Sequence, residues 1–392
     1  MKKILIVINS LTIGGSEKSL ISLLNMIDYK KYSVDLQMLK IGEEFDKYIP
    51  KEVNILPIPE YYKYVEKGSS ILNVHKFYTR VKTAYNLRKN LKSKNPVNTQ
   101  QILYLSQRNA MENNLKEYDV AIAFAQGFPT YYLVEKVKAK KKIAWINCDY
   151  ATTMYDKDLD YKFYKKIDKI IAVSKTIEKS IISMKRGYES KLEVILDIVN
   201  PELIKKMSLE YDKELFQKDY LNIVTVGRIS IHHKGYDKVI ETANLLKEKG
   251  YKFKWHIVGD GPDRKELERL IDNASINNNI LLCGSQNNPY PFMLQSDIYI
   301  QPSSKEGFGL TVVEAKILKK LIICTNFNTA LELIKNENDG LIVGFQPEDI
   351  YLGIKRLLND KKLKSKILNN LESKLAYDSR GEFKKIIKLI EE

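Results

Sequence analysis

Residues 298–315 read IYIQPSSKEGFGLTVVEA and contain one complete strand-to-helix unit. The apolar run Ile298–Gln301 predicts a buried β-strand, and the glycines that follow it predict a tight turn. Leu310–Leu318 has the apolar spacing of a helix. A fully apolar strand followed by a helix is the unit of a parallel sheet that helices cover on both faces. This stretch therefore predicts an α/β fold.

The same unit recurs in two series along the 392 residues. The first series predicts strands at Lys3–Ile8, Ser33–Leu39, Val120–Phe124, Lys142–Ile146, Ile170–Val173 and Leu192–Leu196, with helices at Glu17–Met26, Leu72–Leu91, Pro129–Val137 and Thr176–Ser183. The second predicts strands at Asn222–Val226, Lys254–Val258, Ile280–Cys283, Ile298–Gln301, Leu321–Cys324 and Leu341–Val343, with helices at Asp237–Lys249, Asp263–Asn273, Leu310–Leu318 and Pro347–Leu358. A last helix, Arg380–Ile390, follows a charged connection. Two series predict two doubly wound domains, and the charged stretch Asp197–Tyr220 predicts the break between them.

Composition excludes several classes of protein. Hydrophobic residues make up 44% of the chain and charged residues 29%, which excludes wholesale disorder. Cys148, Cys283 and Cys324 have no paired spacing and argue against a disulfide framework or a zinc site. The apolar run Ile4–Ile8 is too short for a signal peptide, and no run of about 18 apolar residues predicts a membrane span. We therefore expect a cytoplasmic protein.

The net charge allows two interpretations. Lysines and arginines number 64 and acidic residues 49, which leaves a formal charge of +15. Lysines on solvated surfaces would explain this excess, and so would an anionic partner such as a phosphate, a lipid headgroup or a nucleic acid. Charge alone does not distinguish these interpretations.

Cationic residues follow the strand predicted at Asn222–Val226. Gly227 and Arg228 come directly after this strand, and Lys234 precedes the next helix. Ligands of open parallel sheets bind beyond the carboxyl ends of the strands. Arginine can form bidentate bonds to a phosphate and lysine acts as a point charge, so the pair suits a diphosphate.

Two carboxylates flank the next glycine turn. Glu306 lies in the turn after Ile298–Gln301, and Glu314 lies in the first turns of the following helix. A sugar nucleotide carries hydroxyls at both ends and a diphosphate between them, so one carboxylate can accept from the sugar and the other from the ribose. The helix start can stabilise charge on the departing phosphate. Taken alone, the two acids fit an ordinary surface turn, but together with Arg228 and Lys234 they predict a sugar-nucleotide site.

These motifs resemble one known family. Glu306–Glu314, Val226-Gly227-Arg228, Lys234-Gly235 and Gly14-Gly15 match in order and spacing the retaining GT-B glycosyltransferases of family 4, in the glycosyl transferases group 1 superfamily. The two glutamates are the specific part of the match, and the double glycine is the weak part. The resemblance implies two Rossmann-like domains that face each other across a cleft. The acceptor-binding domain would be 1–198, joined by a C-terminal helix at 378–392, and the nucleotide-sugar-binding domain would be 199–377.

The resemblance also implies roles for single residues. Arg228 and Lys234 match the pair that binds the donor diphosphate, Glu306 matches the residue near the hydroxyls of the donor sugar, and Glu314 matches the acid that binds the ribose. Further donor-binding residues are expected to be Gly14 and Gly15, in a loop that closes on the phosphates, with Gly227, Phe308, Gly309, Leu310 and Thr311. We expect transfer with retention of configuration, no metal ion and no cofactor besides the donor, which we expect to be UDP-linked.

One position departs from the family pattern. Many members carry a histidine after the strand that here ends at Ile146, where this chain has Asn147 followed by Cys148 and Asp149. Asparagine can bond to a hydroxyl but cannot take up a proton at neutral pH. Front-face attack, in which the donor phosphate receives the acceptor proton, would tolerate this change. We count Asn147 among the candidate catalytic residues.

A second acidic motif fits a metal site less well. Asp156, Asp158 and Asp160 form a D-x-D pattern, which metal-dependent glycosyltransferases use. The pattern lies in a polar stretch and not directly after a buried strand, so we predict no metal there.

The stretch Tyr61–Lys94 is basic and aromatic. Against the single acid Glu66 it carries the basic residues Lys63, Lys67, Lys76, Arg80, Lys82, Arg88, Lys89, Lys92 and Lys94. The apolar residues Val74, Phe77, Tyr78, Val81, Ala84 and Tyr85 recur at helical spacing, which suits an anionic membrane surface. The same stripe also fits an ordinary helix that packs on the sheet, and we expect it to do so while the basic residues use the other face.

The leading hypothesis is a glycosyltransferase of surface polysaccharide synthesis with a glycan or lipid-linked acceptor. Peripheral contact with the anionic inner face of the cell membrane is part of this expectation. A nucleotide-sugar epimerase shares the fold but tends to lack the two glutamates. A catalytically weak GT-B partner subunit stays open because of Asn147. Nucleic acid is not an expected partner, because no recognised binding signature is present.

Overall fold

A computed structural model describes residues 1–12, 14–43, 45–59, 74–184, 187–211, 214–373 and 379–392. The chain divides into two compact units. Met1–Ile198 together with Arg380–Glu392 forms the N-terminal unit, and Val199–Ser379 forms the C-terminal unit. Each unit is built on one parallel sheet.

The N-terminal unit contains a seven-stranded sheet in the order β3-β2-β1-β4-β5-β6-β7. All its strand pairs are parallel. The strands are β1 Lys2–Ile8, β2 Tyr32–Met38, β3 Asn54–Ile55, β4 Glu117–Ala123, β5 Lys138–Ile146, β6 Lys169–Ala172 and β7 Leu192–Val194. The helices are α1 Gly15–Leu24, α2 Val74–Leu91, α3 Thr99–Gln107, α4 Phe128–Lys136, α5 Lys157–Tyr164 and α6 Lys175–Ile182, with 3-10 turns at Asp46–Tyr48, Tyr150–Thr152 and Glu189–Lys191.

The C-terminal unit contains a six-stranded parallel sheet in the order β10-β9-β8-β11-β12-β13. Its strands are β8 Leu221–Val226, β9 Phe253–Val258, β10 Ile280–Gly284, β11 Ile298–Gln301, β12 Leu321–Thr325 and β13 Leu341–Val343. Its helices are α7 Pro201–Ser208, α8 Ile231–Lys234, α9 Tyr236–Glu248, α10 Arg264–Asn273, α11 Tyr290–Gln295, α12 Leu310–Ile317, α13 Ala330–Leu333, α14 Pro347–Asn359 and α15 Lys361–Ser373.

The last helix, α16 Arg380–Glu391, packs on the N-terminal unit. The Lys2 ammonium donates to the carbonyl of Ile390 over 2.9 Å, and the Tyr32 hydroxyl donates to the Glu391 carboxylate over 2.5 Å. These bonds join the end of the chain to the first two strands. The residue at 378, with which the predicted C-terminal helix begins, lies outside the described residues.

The central strands of both sheets are buried on both faces, as their apolar residues predict. Every residue of β11 and β12 is buried, because helices cover the two faces of the sheet. In each sheet the strand order reverses beside the first strand, between β1 and β4 and between β8 and β11. A crevice opens at such a reversal, beyond the carboxyl ends of the two strands, and ligands of this fold class bind there. The prediction of two Rossmann-like, parallel-sheet domains is confirmed.

Some elements escape the sequence pattern. Strand β3 has only two residues, and the predicted charged connection before the last helix contains α15. Helix α15 buries only Leu363, Ile367 and Leu371, which is too thin a stripe to stand out among its lysines.

The predicted orientation of helix α2 is wrong. Phe77, Tyr78, Val81 and Tyr85 were expected to pack on the sheet but are exposed. The helix packs on α3 instead and buries the face that carries Thr79 and Thr83. The part of the basic stretch that precedes Val74 lies outside the described residues.

Candidate functional site

An ion pair marks the reversal of the strand order in the C-terminal unit. The Lys234 ammonium lies 2.8 Å from both carboxylate oxygens of Glu306. Lys234 ends α8, which follows β8, and Glu306 follows β11, so the pair joins the two strands beside the crevice. Only 9% of the Glu306 side chain and 22% of the Lys234 side chain are exposed. Two of the predicted catalytic residues are therefore in direct contact.

Neutral side chains fix the Glu306 carboxylate in place. Its Oε1 accepts from the Gln301 amide over 2.9 Å and from the Ser303 hydroxyl over 2.6 Å. The Glu306 backbone is also held, because its N–H donates to Asn328 Oδ1 and its carbonyl accepts from Asn328 Nδ2. We call Lys234, Gln301, Ser303 and Glu306 the Glu306 cluster. A carboxylate with this many partners has a fixed orientation before any ligand binds.

Two glycines allow close packing of the backbone at this site. Gly235, which follows Lys234, has φ +75°, and a Cβ atom there would lie 1.9 Å from the carbonyl oxygen of Pro302. Gly309 has φ +98° at the N-cap of α12, where a Cβ atom would lie 2.6 Å from Leu333 Cδ1. Both positions need a residue without a side chain. The glycines of the sequence motif are thus required by the packing of the two loops.

Glu314, the second predicted glutamate, is 1% exposed in helix α12. Its Oε1 accepts from the Tyr290 hydroxyl over 2.9 Å. Thr311, one helical turn earlier, donates its hydroxyl to Gln301 Oε1 over 3.0 Å and so touches the Glu306 cluster. Burial raises the pKa of Tyr299 well above its usual value, and the charges of Glu314 and Glu306 add to this shift. Thr311 and Gln301 thus link helix α12, which carries Glu314, to Glu306.

Arg228 supplies an exposed cation at the same edge. Among the described residues it has no hydrogen-bond partner, so its guanidinium can bind a ligand without breaking a bond inside the protein. Burial lowers the pKa of His233, the nearby charges of Lys234, Lys305 and Arg228 lower it further, and the charge of Glu306 raises it in part. Three cations therefore lie near this histidine, together with the carboxylate of Glu306.

The remaining predicted donor-binding residues of this unit form its backbone near the cluster. Gly227 accepts a bond from the Tyr236 hydroxyl at its carbonyl over 2.9 Å. Phe308 is buried, and its carbonyl accepts from the Thr329 hydroxyl over 2.8 Å. Leu310 begins α12 directly after Gly309 and is buried. These residues shape the loops that hold the charged side chains.

The predicted N-terminal residues lie at the carboxyl edge of the other sheet. Gly14 is the N-cap of α1, which begins at Gly15. A Cβ atom at Gly14 would lie 2.2 Å from the Glu17 carboxylate, so the glycine makes room for this acid. Glu17 also accepts from the Ser16 hydroxyl over 2.8 Å.

Asn147 is held in one orientation after β5. Its Nδ2 donates to the carbonyl of Phe124 over 3.0 Å, and its backbone N–H donates to Gln126 Oε1 over 3.0 Å. Its Oδ1 is buried and has no partner among the described residues. The side chain therefore presents an acceptor oxygen.

A buried acid, Asp197, lies near the partly exposed Glu17 of α1, and this proximity was not predicted. Burial raises the pKa of Asp197 to about 7, a hydrogen bond from Ser19 lowers it in part, and the charge of Glu17 raises it. Burial also raises the pKa of Glu17. Burial is the main cause of both shifts, and the charge of Glu17 adds to the shift of Asp197. No sequence pattern joins two acids that are 180 residues apart.

The D-x-D carboxylates serve the structure of the N-terminal unit. Asp156 caps α5 by accepting from the backbone N–H groups of Asp158 and Leu159. Asp160 is 1% exposed and accepts from Tyr131, from Tyr150 over 2.6 Å and from Gln101 over 2.8 Å. The parts of the chain that the structure describes contain no group of three or more His, Cys, Asp or Glu residues that could hold a metal ion.

Gln301 and Tyr290 are the central residues that sequence reasoning missed. Gln301 joins Glu306 to Thr311, and Tyr290 holds Glu314. Gln301 ends a buried strand where an apolar residue would be usual, and that position was the available signal.

Solved structures share the fold of this chain. Anabaena HepE, solved in complex with UDP and glucose, matches with a TM-score of 0.71 and 15% identity over 100% of both chains. TarM of S. aureus matches with a TM-score of 0.67 and 14% identity over 100% of this chain and 99% of TarM. WaaG, a glycosyltransferase of lipopolysaccharide biosynthesis, gives 0.59 and 15% over 99% of both chains. The fold is therefore that of the GT-B proteins.

The family follows from sequence comparison. Residues 208–374 match the model of the family described as Glycosyl transferases group 1. The predicted resemblance to the group 1 superfamily is confirmed.

Named glycosyltransferases are similar to this chain in sequence. The capsular polysaccharide biosynthesis glycosyltransferase CapM of Staphylococcus aureus is 29% identical over 213 residues, which are 51% of this chain and 55% of CapM. The chain spans about half the length of several such curated relatives. A Campylobacter jejuni GalNAc-alpha-(1->4)-GalNAc-alpha-(1->3)-diNAcBac-PP-undecaprenol alpha-1,4-N-acetyl-D-galactosaminyltransferase is 24% identical over 377 residues, 95% of this chain and 94% of the relative.

Within the described ranges, no helix combines the length and the apolar character that a membrane crossing requires.

Proposed function

We propose that this protein is a glycosyltransferase that moves a sugar from a nucleoside diphosphate to a glycan or lipid-linked acceptor. The Glu306 cluster carries the proposal, because it places a fixed carboxylate and a cation beside the crevice where the strand order reverses. The C-terminal unit would bind the donor, and the N-terminal unit would bind the acceptor. HepE, which shares the fold, was solved with UDP, and this supports a UDP-linked donor.

The proposed reaction breaks the bond between the sugar and the diphosphate. Arg228 and Lys234 would offset the charge that develops on the leaving nucleoside diphosphate. Glu306 would accept from hydroxyls of the donor sugar, and Glu314 would accept from the ribose. Gly14 and Gly15 would close on the phosphates.

The acceptor hydroxyl would attack the anomeric carbon from the face that the diphosphate leaves. Its proton would pass to an oxygen of the departing phosphate, so configuration is retained and neither a metal ion nor an imidazole base is needed. Asn147 would hold a hydroxyl through its Oδ1, which lacks a partner within the described residues. A lipid-linked acceptor would bring the enzyme to a membrane surface, and the polysaccharide and undecaprenol relatives support this class of acceptor.

A donor screen tests this function. The full chain is incubated with UDP-, GDP-, TDP- and ADP-sugars, and the released nucleoside diphosphate and the labelled product are measured. We expect release with one donor class and a loss of about 10²-fold in Arg228→Ala, which removes the exposed diphosphate ligand. Arg269→Ala, which removes an exposed arginine of α10, is the matched control. Equal rates in wild type and Arg228→Ala would overturn the site.

The screen also tests a second function. Asn147, which replaces the histidine of many family members, favours a catalytically weak partner subunit. Such a subunit would bind a nucleoside diphosphate in calorimetry but would turn over none of the donors. A product that remains attached to its nucleotide but has changed configuration would instead identify an epimerase.

A further inference from the structure

Helix α2 is attached to the protein by its polar side. Thr79 and Thr83 are 5% and 7% exposed. The Asn86 amide donates to the Ser106 hydroxyl over 2.9 Å, and the Asn90 side chain exchanges two hydrogen bonds with the backbone of Val97. A surface helix normally packs its apolar face inward and leaves its polar face in water. The arrangement of α2 is inverted.

The apolar side chains of α2 point away from α3. Val74, Phe77, Tyr78, Val81 and Tyr85 are 80%, 48%, 63%, 53% and 65% exposed. Their spacing of three and four residues places them on one face of the helix. We call these five residues the outer face of α2. It is a continuous apolar and aromatic stripe along three turns.

Cations border the outer face. Arg80, Lys82, Arg88 and Lys89 are exposed, and α2 contains no aspartate or glutamate between Val74 and Leu91. Two copies of this helix packed face to face would bring like charges together, which disfavours self-association. An anionic surface with an apolar interior satisfies both the cations and the stripe. Tyrosine also suits the boundary between headgroups and acyl chains, because its ring is apolar and its hydroxyl is polar.

We propose that the outer face of α2 is a docking surface for a bilayer that contains anionic phospholipids. The helix lies parallel to the membrane, its aromatic side chains enter the boundary of the acyl chains, and its basic residues contact the headgroups. This proposal does not rest on the proposed function, because it uses none of the residues of the donor site.

Vesicle binding of the full chain tests the proposal. The protein is sedimented with vesicles of phosphatidylcholine alone and with vesicles that also contain phosphatidylglycerol. We expect binding only to the mixed vesicles, and weaker binding at high salt because the cations are exposed. In Lys82→Gln/Lys89→Gln we expect roughly 30-fold weaker binding, since each basic residue near an anionic membrane contributes about a factor of five. In Phe77→Ser/Tyr85→Ser we expect a loss of at least about tenfold.

Helix α15 provides a matched control. Its Lys362 and Lys366 are exposed and one turn apart, but its apolar residues are buried, so Lys362→Gln/Lys366→Gln removes the same charge from a helix without an apolar outer face. Leu352→Ser removes an exposed apolar residue, 56% exposed, from α14. Both controls should bind vesicles like the wild type. Urea unfolding midpoints of all variants, compared with the wild type, separate loss of binding from loss of folding.

The vesicle-binding results of the α2 and α15 variants distinguish the possible outcomes. Loss of binding in the α2 variants alone supports the proposal. Absence of wild-type binding to mixed vesicles overturns it, and so do equal losses in the α2 and α15 variants. A wild type that dimerises through α2 in sedimentation velocity, with no affinity for vesicles, would identify the outer face as a protein interface and would also overturn it.

Discussion

The two units share one architecture but hold charge differently at the carboxyl edges of their sheets. In the C-terminal unit Glu306 is paired with Lys234 at 2.8 Å and fixed by neutral donors. In the N-terminal unit the buried Asp197 has Glu17, another acid, as its charged neighbour, and burial raises the pKa of both. We call the carboxyl edge that carries the Lys234–Glu306 pair the balanced edge. We call the carboxyl edge where Asp197 has the acid Glu17 as its charged neighbour the acidic edge.

This difference indicates separate tasks. Opposite charges in fixed positions can stabilise charge that moves during a reaction without reorganising first. A buried carboxylate with a pKa of about 7 changes its charge near neutral pH, so the N-terminal edge responds to protons. The family match, residues 208–374, lies within the C-terminal unit. The family match therefore covers the unit that contains the Glu306 cluster.

The largest expected effect comes from breaking the balanced edge. Glu306→Gln and Lys234→Gln should each lower turnover by about 10²- to 10³-fold, and the double variant should lose little more, because the two groups act as one unit. Initial rates of nucleoside diphosphate release measure this.

A second ion pair of the same unit controls for general effects of charge removal. Lys316 and Asp339 lie 2.9 Å apart with side chains 12% and 18% exposed, away from the crevice. Lys316→Gln should lower stability and leave turnover within about threefold of the wild type. If the Glu306 and Lys316 variants lose turnover equally, the special role of the Glu306 cluster is contradicted.

Backbone packing holds the balanced edge in place, and Gly235→Ala should disturb it. The new Cβ atom would meet the carbonyl oxygen of Pro302 at 1.9 Å in a left-handed backbone, so we expect a loss of about 3 kcal/mol in the free energy of unfolding. Gly250→Ala is the control, since Gly250 has the same φ of +75° but nothing within 4 Å of the added atom. It should cost only about 1 kcal/mol. Urea unfolding measures both, and equal losses would show that the close approach to Pro302 is unimportant.

The acidic edge predicts a pH dependence of stability. The pKa of Asp197 is about 7 in the folded protein, above the usual value near 4, so the folded state binds more protons between these two values. The contribution of Asp197 to the free energy of unfolding is largest below pH 4. It decreases as the pH rises to about 7 and is constant above that pH. Asp197→Asn removes the titration and keeps an acceptor for Ser19.

Relative to the wild type, Asp197→Asn should gain about 1 kcal/mol in the free energy of unfolding per pH unit between pH 5 and 7. Urea titrations at each pH measure the difference. Asp219→Asn, at an aspartate whose side chain is 86% exposed, should run parallel to the wild type. A difference between wild type and Asp197→Asn that does not vary with pH would contradict the buried charge.

The sequence revealed more of the balanced edge than of the acidic one. Gly227, Arg228, Lys234 and Glu306 follow strands, and because the carboxyl ends of parallel strands share one edge, their proximity could be predicted. The partners of Glu306 could not be predicted, since the path of the loop 302–305 decides whether Gln301 reaches it. Asp197 and Glu17 come together through tertiary packing between segments far apart in the chain, which no local pattern encodes.

The prediction of which face of helix α2 is buried was wrong for a different reason. The helical spacing of its apolar residues predicted the helix. Spacing alone does not determine which face of a helix packs against the protein. Thr79 and Thr83 pack inward because α3 meets them there, and α3 itself has a weak pattern. The spacing therefore predicted an element and not its environment.

The smallest expected effect concerns Asn147, at the N-terminal edge. Asn147→His should change turnover by less than about tenfold, because Asn147 already presents an acceptor and front-face transfer gives the proton to the phosphate. Asn25→His is the matched control, since the Asn25 amide also donates to a backbone carbonyl, that of Ile21 over 2.8 Å, far from the edge in sequence and structure. The labelled product, measured with donor and acceptor present, reports the effect. A rise of more than about 10²-fold in Asn147→His alone would mean that the chain lacks a base it needs, and would favour the weak partner subunit over the active transferase.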